Sequence, residues 1–381
     1  MKIVGYEIFL VAPRWQFLRI DTDEGISGWG EPIVEGRAEA VQGAVTALME
    51  YLVGTDPLRI EDHWQTLAKG GFYRGGPVLS SALAGIDQAL WDIKGRYHDA
   101  PVHELLGGPV RDRIRIYTWV HGRDTAALID DAQAKVAKGF SAIKLNLAEA
   151  LPAVPAAADV RAMVTRVEAL RGALGDSVDI ALDFHGRFST AATRQILPLL
   201  EPYLPMFVEE PVLPEFARDL RRITDSTSIP IATGERLYSR WDFRDVLPTG
   251  IAVAQPDLSH AGGISEVRRI AAMAEAYDVA VAPHCPLGPI TLAASLQIDL
   301  ATPNFLIQEQ SLGIEYGGGS ALLDYLVDPQ VFNFVDGHIG RLAGPGLGIE
   351  VDEDAVRAAA SEGHSWRSPV LRHSDGSFAE W

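Results

Sequence analysis

Six acidic or imidazole side chains recur through the second half of this 381-residue chain at intervals of roughly 25 residues. Each stands at the end of a short apolar run rich in Val, Ile, Leu and Ala: Asp183, Glu209, Glu235, Asp257, His284 and Glu309. One strand, one helix and two short loops occupy about 25 residues. The spacing therefore predicts polar groups at the carboxyl ends of successive parallel strands, the face on which (β/α)8 barrels carry out their chemistry.

The first three of these acids predict a cation site. Asp183, Glu209 and Glu235 end three consecutive predicted strands, and neighbouring strands lie about 4.8 Å apart. Two bare carboxylates about 4 Å apart repel by roughly 4 kcal/mol at an effective dielectric constant of about 20. A single acid would more readily be a helix cap or a loop charge, but three in register should hold a cation or bind protons. Hard oxygen ligands without cysteine favour Mg²⁺ or Mn²⁺ over Zn²⁺.

A histidine, a lysine and an asparagine are spaced to act beside that cluster. His185 stands two residues after Asp183, and such side chains point the same way in an extended segment. Lys144 and Asn146 share this relation at the end of the second predicted barrel strand. Lys144 is expected to neutralise charge in the cavity. Schiff-base chemistry by this lysine is a less favoured alternative.

The remaining strand-end groups predict a general base and an electrostatic partner. Asp257 and His284 end adjacent strands, and a carboxylate beside an imidazole raises its basicity; an ordinary ion pair is the alternative. Glu309 would stabilise a developing oxyanion if it held a proton. Cys285 adjoins His284 but should face the opposite way, which disfavours a Cys–His nucleophile. The histidines expected to be structural or surface residues are His63, His98, His103, His260, His338, His364 and His373.

Hydrophobic periodicity predicts the elements that position these groups. Residues 2–31 predict a three-stranded meander, and three segments have helical spacing: 37–53, 61–69 and 78–97. This α+β module is distinct from the α/β barrel, whose first two strands are predicted at 114–120 and 141–146. The predicted division is a capping domain at 1–110, the barrel at 111–315, and a tail at 316–381 that returns to the capping domain.

Composition excludes several classes of protein. The net charge is −18, from 51 acids against 33 bases, so the basic footprint of a nucleic-acid-binding protein is absent. No apolar run approaches the ~18 residues that cross a membrane, and the N-terminus reads as a strand instead of a signal peptide. The single cysteine rules out an intramolecular disulfide and favours a cytoplasmic location.

Over essentially its whole length the sequence resembles the enolase superfamily, in its mandelate racemase-like branch, and most closely the D-galactonate dehydratases. The motifs that carry this resemblance start at the residue given: GFYRGG (71), KLN (144), LDFHGR (182), VEEP (208), GER (234), QPDLSHAGG (255), APHCPLGP (282) and QEQ (308). The resemblance implies a modified (β/α)8 barrel with an α+β capping domain, and a homo-oligomeric assembly.

The resemblance also implies roles for individual residues. Asp183, Glu209 and Glu235 would be Mg²⁺ ligands, with Mn²⁺ as a possible substitute. His284 would be the base at C2 of a sugar acid, Asp257 its partner, His185 the acid for the 3-hydroxyl, and Glu309 the transition-state stabiliser. Candidate substrate-binding residues are Asn146, Arg14, Glu31, Tyr73 and Arg74. The expected reaction converts D-galactonate to 2-dehydro-3-deoxy-D-galactonate and water.

Several alternatives stay open at this point. A racemase or epimerase would need a second base, and Asn146 stands where related racemases often have a lysine. A glycosidase would use two strand-end carboxylates and would need neither a metal nor the histidines. A non-catalytic barrel does not explain why every site position holds a competent residue. Glu315 in place of an expected histidine, and Leu147 in place of an expected glycine, keep D-gluconate or a 6-deoxy sugar acid open as substrates.

Overall fold

An antiparallel sheet and three helices form the N-terminal module of the structure, a computed structural model that describes residues 1–312 and 322–380. The strands are β1 (Ile3–Val11), β2 (Trp15–Thr22) and β3 (Ser27–Gly30), followed by helices α1 (Ala38–Met49), α2 (Ile60–Lys69) and α3 (Pro77–Tyr97). The predicted meander and helices are thus confirmed. Helix α3 packs so closely on β3 that a Cβ at Gly30 would overlap the carbonyl of Gly85.

A parallel sheet of seven strands follows, in the order of the chain. Helix α4 (Val102–Leu105) and strand β4 (Arg113–Arg115) lead into it. Its strands are β5 (Thr118–Trp119), β6 (Ala142–Asn146), β7 (Asp179–Asp183), β8 (Phe207–Glu209), β9 (Ile231–Thr233), β10 (Val253–Ala254) and β11 (Ala280–Val281). The helices between and after them are α5 (Thr125–Ala137), α6 (Ala157–Leu174), α7 (Thr190–Leu200), α8 (Leu220–Thr224), α9 (Arg240–Val246), α10 (Gly263–Glu275) and α11 (Pro289–Ala301).

The segment 305–308 closes this sheet into a barrel of eight positions. It forms one parallel bridge to β11, between Val281 and Phe305, and one beside β5, between Ile116 and Gln308. One inward side chain from each of the eight positions joins a separate apolar cluster: Tyr117, Ala142, Ala181, Phe207, Ala232, Val253, Ala282 and Ile307. This buried layer fills the barrel beneath its carboxyl-terminal face.

The predicted first barrel strand, 114–120, is wrong in part. Its first half, β4, pairs with β13 (His338–Gly340), which also pairs with β12 (Phe334–Val335), in a small antiparallel sheet outside the barrel. Only the second half, β5, joins β6. The three residues of β4 are exposed, buried and half-buried in turn. This pattern suits a sheet with one solvent-exposed face.

The tail returns to the N-terminal module. Helix α12 (Glu353–Glu362) packs against β1, and the guanidinium of Arg357 donates two hydrogen bonds to Glu7, at 2.6 and 2.7 Å. The predicted boundary at 315/316, Glu315 and the glycines at 317–319 lie outside the described residues. In the described parts of the chain, no helix combines the length and apolarity needed to cross a bilayer.

Buried hydrogen bonds join α3 to the barrel. Asp87 accepts from the backbone N–H of Ser265 at 2.9 Å, and the indole of Trp91 donates to the Ser265 hydroxyl at 2.9 Å. The side-chain amide of Gln88 donates to the carbonyl of Leu258 at 2.9 Å. These contacts attach the module to the segments that follow β10, on the same face of the barrel as the strand-end acids.

Candidate active site

A cavity of about 410 Å³ opens at the carboxyl ends of the barrel strands. Arg14, Val34, Glu35 and Pro77 of the N-terminal module and Ser368 of the tail form one part of its wall. The other part belongs to the barrel: Trp119, His121, Asn146, His185, Glu235, Arg236, Tyr238, His260, His284 and Pro286. The cavity therefore lies between the barrel and the module that covers it, and two imidazoles proposed for catalysis line it.

Asp257 and His284 form a hydrogen-bonded pair. His284 Nδ1 lies 2.7 Å from Asp257 Oδ2, and its Nε2 faces the cavity, 3.5 Å from Glu235 Oε2. Two backbone N–H groups, of Ser259 and His260, donate to the other oxygen of Asp257 and fix its orientation. Burial lowers the pKa of His284, but the neighbouring carboxylates outweigh burial and hold that pKa well above its usual value. His284 is thus a strongly basic imidazole that Asp257 holds in place.

His185 occupies the cavity wall beside Asp183, but not for the reason the sequence suggested. Strand β7 ends at Asp183, and His185 has a φ of 50°, so the extended two-residue relation does not hold there. The backbone N–H of His185 donates to Asp183 Oδ1 at 2.7 Å, and its Nε2 lies 3.5 Å from Asp183 Oδ2. Burial dominates over that carboxylate and lowers the pKa of His185 to about 4.

The two imidazoles face the cavity from opposite sides. His185 follows β7 and His284 follows β11, and these strands stand four positions apart in a ring of eight. Four positions are half of the circumference. A substrate that fills the cavity therefore has one imidazole on each side, with Glu235, from the intervening strand β9, between them.

The acids predicted to bind a cation meet as two neighbouring groups. Side-chain ligand atoms of Asp183, His185 and Glu235 lie within 4.8 Å of one another. Asp183 Oδ2 and Glu235 Oε2 are buried and accept no hydrogen bond from any described residue. Glu209 lies beside Asp183 at the end of the next strand, where both of its oxygens accept from Lys144, at 2.8 and 2.9 Å. Oxygen atoms without hydrogen bonds in an anionic cluster suit a hard divalent cation.

Lys144 lies beneath the cavity, fully buried among carboxylates. Its Nζ is 2.8 Å from Glu209, 2.9 Å from Glu309 and 3.4 Å from Asp183. Burial lowers the pKa of Lys144, but these carboxylates outweigh burial and raise that pKa well above its usual value. A protonated amine cannot attack a carbonyl, so the structure disfavours the Schiff-base alternative. Asn146, two residues on, lines the cavity.

Glu309 is held in its ionised form. Besides Lys144, the Trp119 indole donates to it at 2.8 Å and the backbone N–H of Cys285 at 3.0 Å. Burial raises the pKa of Glu309, but Lys144 and His284 outweigh burial and bring it to about 2. The suggestion that Glu309 stabilises an oxyanion by sharing its own proton is therefore not supported. Its negative charge instead orients Lys144 and stabilises charge on His284.

We expect Lys144→Met to destabilise the protein strongly when divalent cations are absent. Removing one partner from a buried ion pair costs about 3–5 kcal/mol, because the remaining charges are left unpaired. Urea unfolding in a chelating buffer measures this loss. Added Mg²⁺ should recover part of it, since it would neutralise the same carboxylates. The exposed Lys138, changed to Met, is the control, with an expected change within about 0.5 kcal/mol. Equal stability of the two variants would contradict the arrangement described.

The proposed substrate-binding residues divide into two groups. Asn146 and Arg14 line the cavity. Glu31 is fully buried away from it and accepts hydrogen bonds from the backbone N–H groups that follow His284. Tyr73 and Arg74 are exposed on the loop between α2 and α3 and line a different depression. The structure therefore does not bring Glu31, Tyr73 or Arg74 into contact with a molecule in the cavity.

Several polar cavity residues were missed or misplaced by sequence reasoning, among them His260, Glu35 and Arg236. His260, expected to be structural or on the surface, lines the cavity, with Nε2 3.6 Å from Glu35 Oε2 and 3.9 Å from Asp257 Oδ2. Glu35 also lies 3.7 Å from the guanidinium of Arg14. Arg236, adjacent to Glu235, pairs with Glu210. For His260 a signal existed, because it follows Asp257 by three residues within a strand-end loop.

Comparison with known proteins agrees with this fold. Residues 12–107 match the family model described as mandelate racemase / muconate lactonizing enzyme, N-terminal domain, and residues 127–355 match that described as enolase C-terminal domain-like. Proteins named D-galactonate dehydratase from Xanthomonas axonopodis pv. citri and Variovorax paradoxus are each 54% identical over 100% of both chains. A crystal structure of an enolase from Agrobacterium radiobacter, with bound Na and L-malate, is 34% identical over 100% of both chains, with a TM-score of 0.92. The chain belongs to the mandelate racemase / muconate lactonizing enzyme family of the enolase superfamily.

Proposed function

We propose that this enzyme is a hydro-lyase that dehydrates a sugar acid, with D-galactonate as the substrate and 2-dehydro-3-deoxy-D-galactonate and water as the products. The observation that carries the proposal is the placement of His185 and His284 on opposite sides of one acid-lined cavity. Removing a proton from one carbon and a hydroxyl from the next requires a base and an acid at two separate points. The relatives named D-galactonate dehydratase, 54% identical over the whole chain, support the choice of substrate.

The cation of this reaction would be Mg²⁺, held by Asp183, Glu209 and Glu235. All three ligands are hard oxygens, and two of the acids have buried oxygens without hydrogen bonds. When bound, the ion stabilises negative charge on the substrate carboxylate. A bound cation would also neutralise the charge of Glu235, which is one of the charges that raise the pKa of His284. More of the imidazole would then be unprotonated and available as a base.

His284 is the base that removes the proton from C2. Its Nδ1 is held by Asp257, so Nε2, which faces the cavity, is the atom that accepts this proton. The electron pair of the C2–H bond moves toward C1 and gives an enediolate. Asp257 stabilises the imidazolium that results, because its carboxylate lies 2.7 Å from Nδ1. Such a positioned base contributes about 10²- to 10⁴-fold in rate.

His185 is the acid that protonates the departing 3-hydroxyl. The enediolate electrons form the C2=C3 bond as the C3–O bond breaks, and hydroxyl plus proton leave as water. The enol that remains tautomerises to the 2-keto-3-deoxy acid. Because the pKa of His185 is lowered to about 4, His185 must gain a proton first, and the negative charge of a bound sugar acid acts in that direction.

The part of the cavity wall where the N-terminal module meets the loop after β10 is suited to the hydroxyl groups of the sugar chain. His260, Glu35 and Arg14 form a linked polar group there, and Ser81 lies 3.0 Å from His260 Nδ1. Hydrogen bonds to buried polar groups discriminate strongly between substrates, since a missing hydroxyl leaves such a group unpaired. These residues therefore choose between D-galactonate and the alternatives, D-gluconate and 6-deoxy sugar acids.

A racemase or epimerase is the second candidate, and the site disfavours it. The wall at β6 presents Asn146, whose amide is not a base, and Lys144 is buried beneath the cavity and protonated. His185 is the one imidazole opposite His284 among the cavity residues described. In an epimerase His185 would return the proton to C2. The appearance of the C2 epimer of the substrate, with solvent deuterium at C2, would reveal that activity.

Screening a library of sugar acids with Mg²⁺ present tests the proposed function. We expect a 2-keto acid to form from D-galactonate, detected as its semicarbazone, with a higher kcat/KM than from any other acid tested. A higher value for D-gluconate or a 6-deoxy acid would reassign the substrate while retaining the reaction. Absence of a 2-keto acid from every member of the library would contradict the dehydratase assignment.

The cytoplasmic location and the homo-oligomeric assembly stay predictions.

We expect removal of divalent ions to abolish the activity reversibly. Dialysis against a chelator takes away the charge that stabilises the C2 carbanion, and we expect a loss of more than about 10²-fold in kcat. Adding Mg²⁺ should restore the rate, and Mn²⁺ should restore part of it. Asp183→Asn gives a matched test, since it should weaken the response to Mg²⁺. Full activity in the chelator would contradict the metal-assisted mechanism and would favour a glycosidase-like use of the carboxylates.

A further inference from the structure

The segment that carries His284 is attached to the N-terminal module by a buried carboxylate. Glu31, the residue after β3, accepts from the backbone N–H of Gly288 at 2.7 Å and from that of Thr291 at 3.0 Å. Glu31 is fully buried. A Cβ at Gly288 would lie 2.5 Å from the carboxylate, so this position is in direct contact with it. Glu31 thus fixes the backbone four residues beyond His284.

The other contacts of this segment hold it on either side of Gly288, and at its end the hydroxyl of Thr291 lies 2.6 Å from that of Ser259. The barrel anchors the segment at residue 285, whose N–H donates to Glu309, and at Leu287, whose carbonyl accepts from Ser311 at 2.8 Å. Arg14 of the N-terminal module donates to the carbonyl of Pro286 at 3.1 Å. The N–H of Gly288, just before α11, donates its hydrogen bond to Glu31.

We propose that Glu31 is a positioning residue that sets the placement of His284 through the 285–291 segment. Glu31 does not line the cavity, and it holds the segment through the backbone N–H groups of Gly288 and Thr291. A displacement of about 1 Å at a reacting group can lower a rate by about 10²-fold. Because the proposal takes His284 to be the base, it rests on the proposed function.

The test is Glu31→Gln, which keeps the shape but replaces one acceptor oxygen with an amide that cannot accept. We expect kcat and the rate of C2 hydrogen exchange to fall together, by about 10- to 100-fold, with KM changed by less than about two-fold. Glu31→Asp retains both acceptor oxygens on a shorter side chain, so its kcat should lie between those of the wild type and Glu31→Gln. It also provides a measurement if the glutamine variant does not fold.

Asp87→Asn is the matched control. Asp87 is equally buried in the N-terminal module and also accepts a backbone N–H of the barrel, that of Ser265 near the start of α10, but no described contact joins it to the 285–291 segment. Both variants should lower the melting temperature. Only Glu31→Gln should lower kcat per folded molecule. Equal kcat losses in the two variants, or an unchanged kcat in Glu31→Gln, would overturn the proposal.

A crystal structure of Glu31→Gln separates this proposal from the proposed function. We expect the 285–291 backbone to shift by about 1 Å and His284 Nδ1 to move with it from its 2.7 Å contact with Asp257. An unmoved His284 would refute the positioning role whatever the enzyme's substrate is. Failure of wild-type protein to convert any sugar acid would instead refute the proposed function, and the structural result would still decide the positioning role.

Discussion

His284→Asn should abolish both C2 hydrogen exchange and dehydration. Asparagine nearly preserves the size and the contact with Asp257, but its amide cannot accept the C2 proton. We expect kcat to fall by about 10²- to 10⁴-fold or more, the usual contribution of a positioned base. Incubation of D-galactonate in D₂O, followed by proton NMR of C2, measures exchange, and a 2-keto-acid assay measures dehydration.

Both activities must be lost together if His284 is the base, since proton removal precedes loss of the hydroxyl. If either exchange or dehydration continued at the wild-type rate, His284 would not be the base. Asp257→Asn provides a graded comparison, because it leaves the imidazole in place and removes the charge that raises its basicity. His103→Asn, at a buried histidine outside the cavity, controls for loss of an imidazole as such.

His185→Asn should separate the two steps. Without an acid on its side of the cavity, the 3-hydroxyl would have to leave as hydroxide, and we expect dehydration to fall by about 10²- to 10⁴-fold. The C2 proton is removed on the opposite side by His284, so exchange with solvent deuterium should persist. The same NMR and keto-acid measurements, on one sample, detect this separation.

The contrast between the two variants is the sharpest test of the geometry. Loss of exchange in the His185 variant would place both functions on one side of the cavity, contrary to the four-strand separation of β7 and β11. Normal dehydration in that variant would contradict the acid assignment. A sugar acid with a better leaving group at C3, such as a 3-fluoro analogue, should partly rescue His185→Asn but not His284→Asn.

Much of the barrel and its site could be predicted because the relevant signal is local. A buried parallel strand is a short apolar run, and the residue at its end is a fixed distance along the chain from the next. Asp183, Glu209 and His284 were located in this way. Their convergence needed no knowledge of distant contacts, since barrel geometry places all strand ends on one ring.

The errors concern contacts between segments far apart in the chain. The surroundings of Glu309 are an example: its ionisation depends on Lys144, 165 residues away by the numbering, and on no local pattern. Glu31 was placed near the substrate from the family resemblance, but its partners are N–H groups of the barrel. His260 was set aside because it lies outside the ring of strand-end residues in the sequence pattern. Backbone departures such as the φ of His185 are equally invisible in the pattern.

The buried hydrogen bonds between α3 and the barrel have a consequence for how molecules enter and leave. Swinging the N-terminal module away as a rigid body would break the bonds of Asp87, Gln88 and Trp91 at once. Each buried polar group left unpaired costs about 1–3 kcal/mol, so the fully opened form would be very rare. Sugar acid and product must therefore enter and leave without rigid-body separation of the module from the barrel. Such an enzyme acquires a new substrate by exchanging individual wall residues, with the relative orientation of its two halves unchanged.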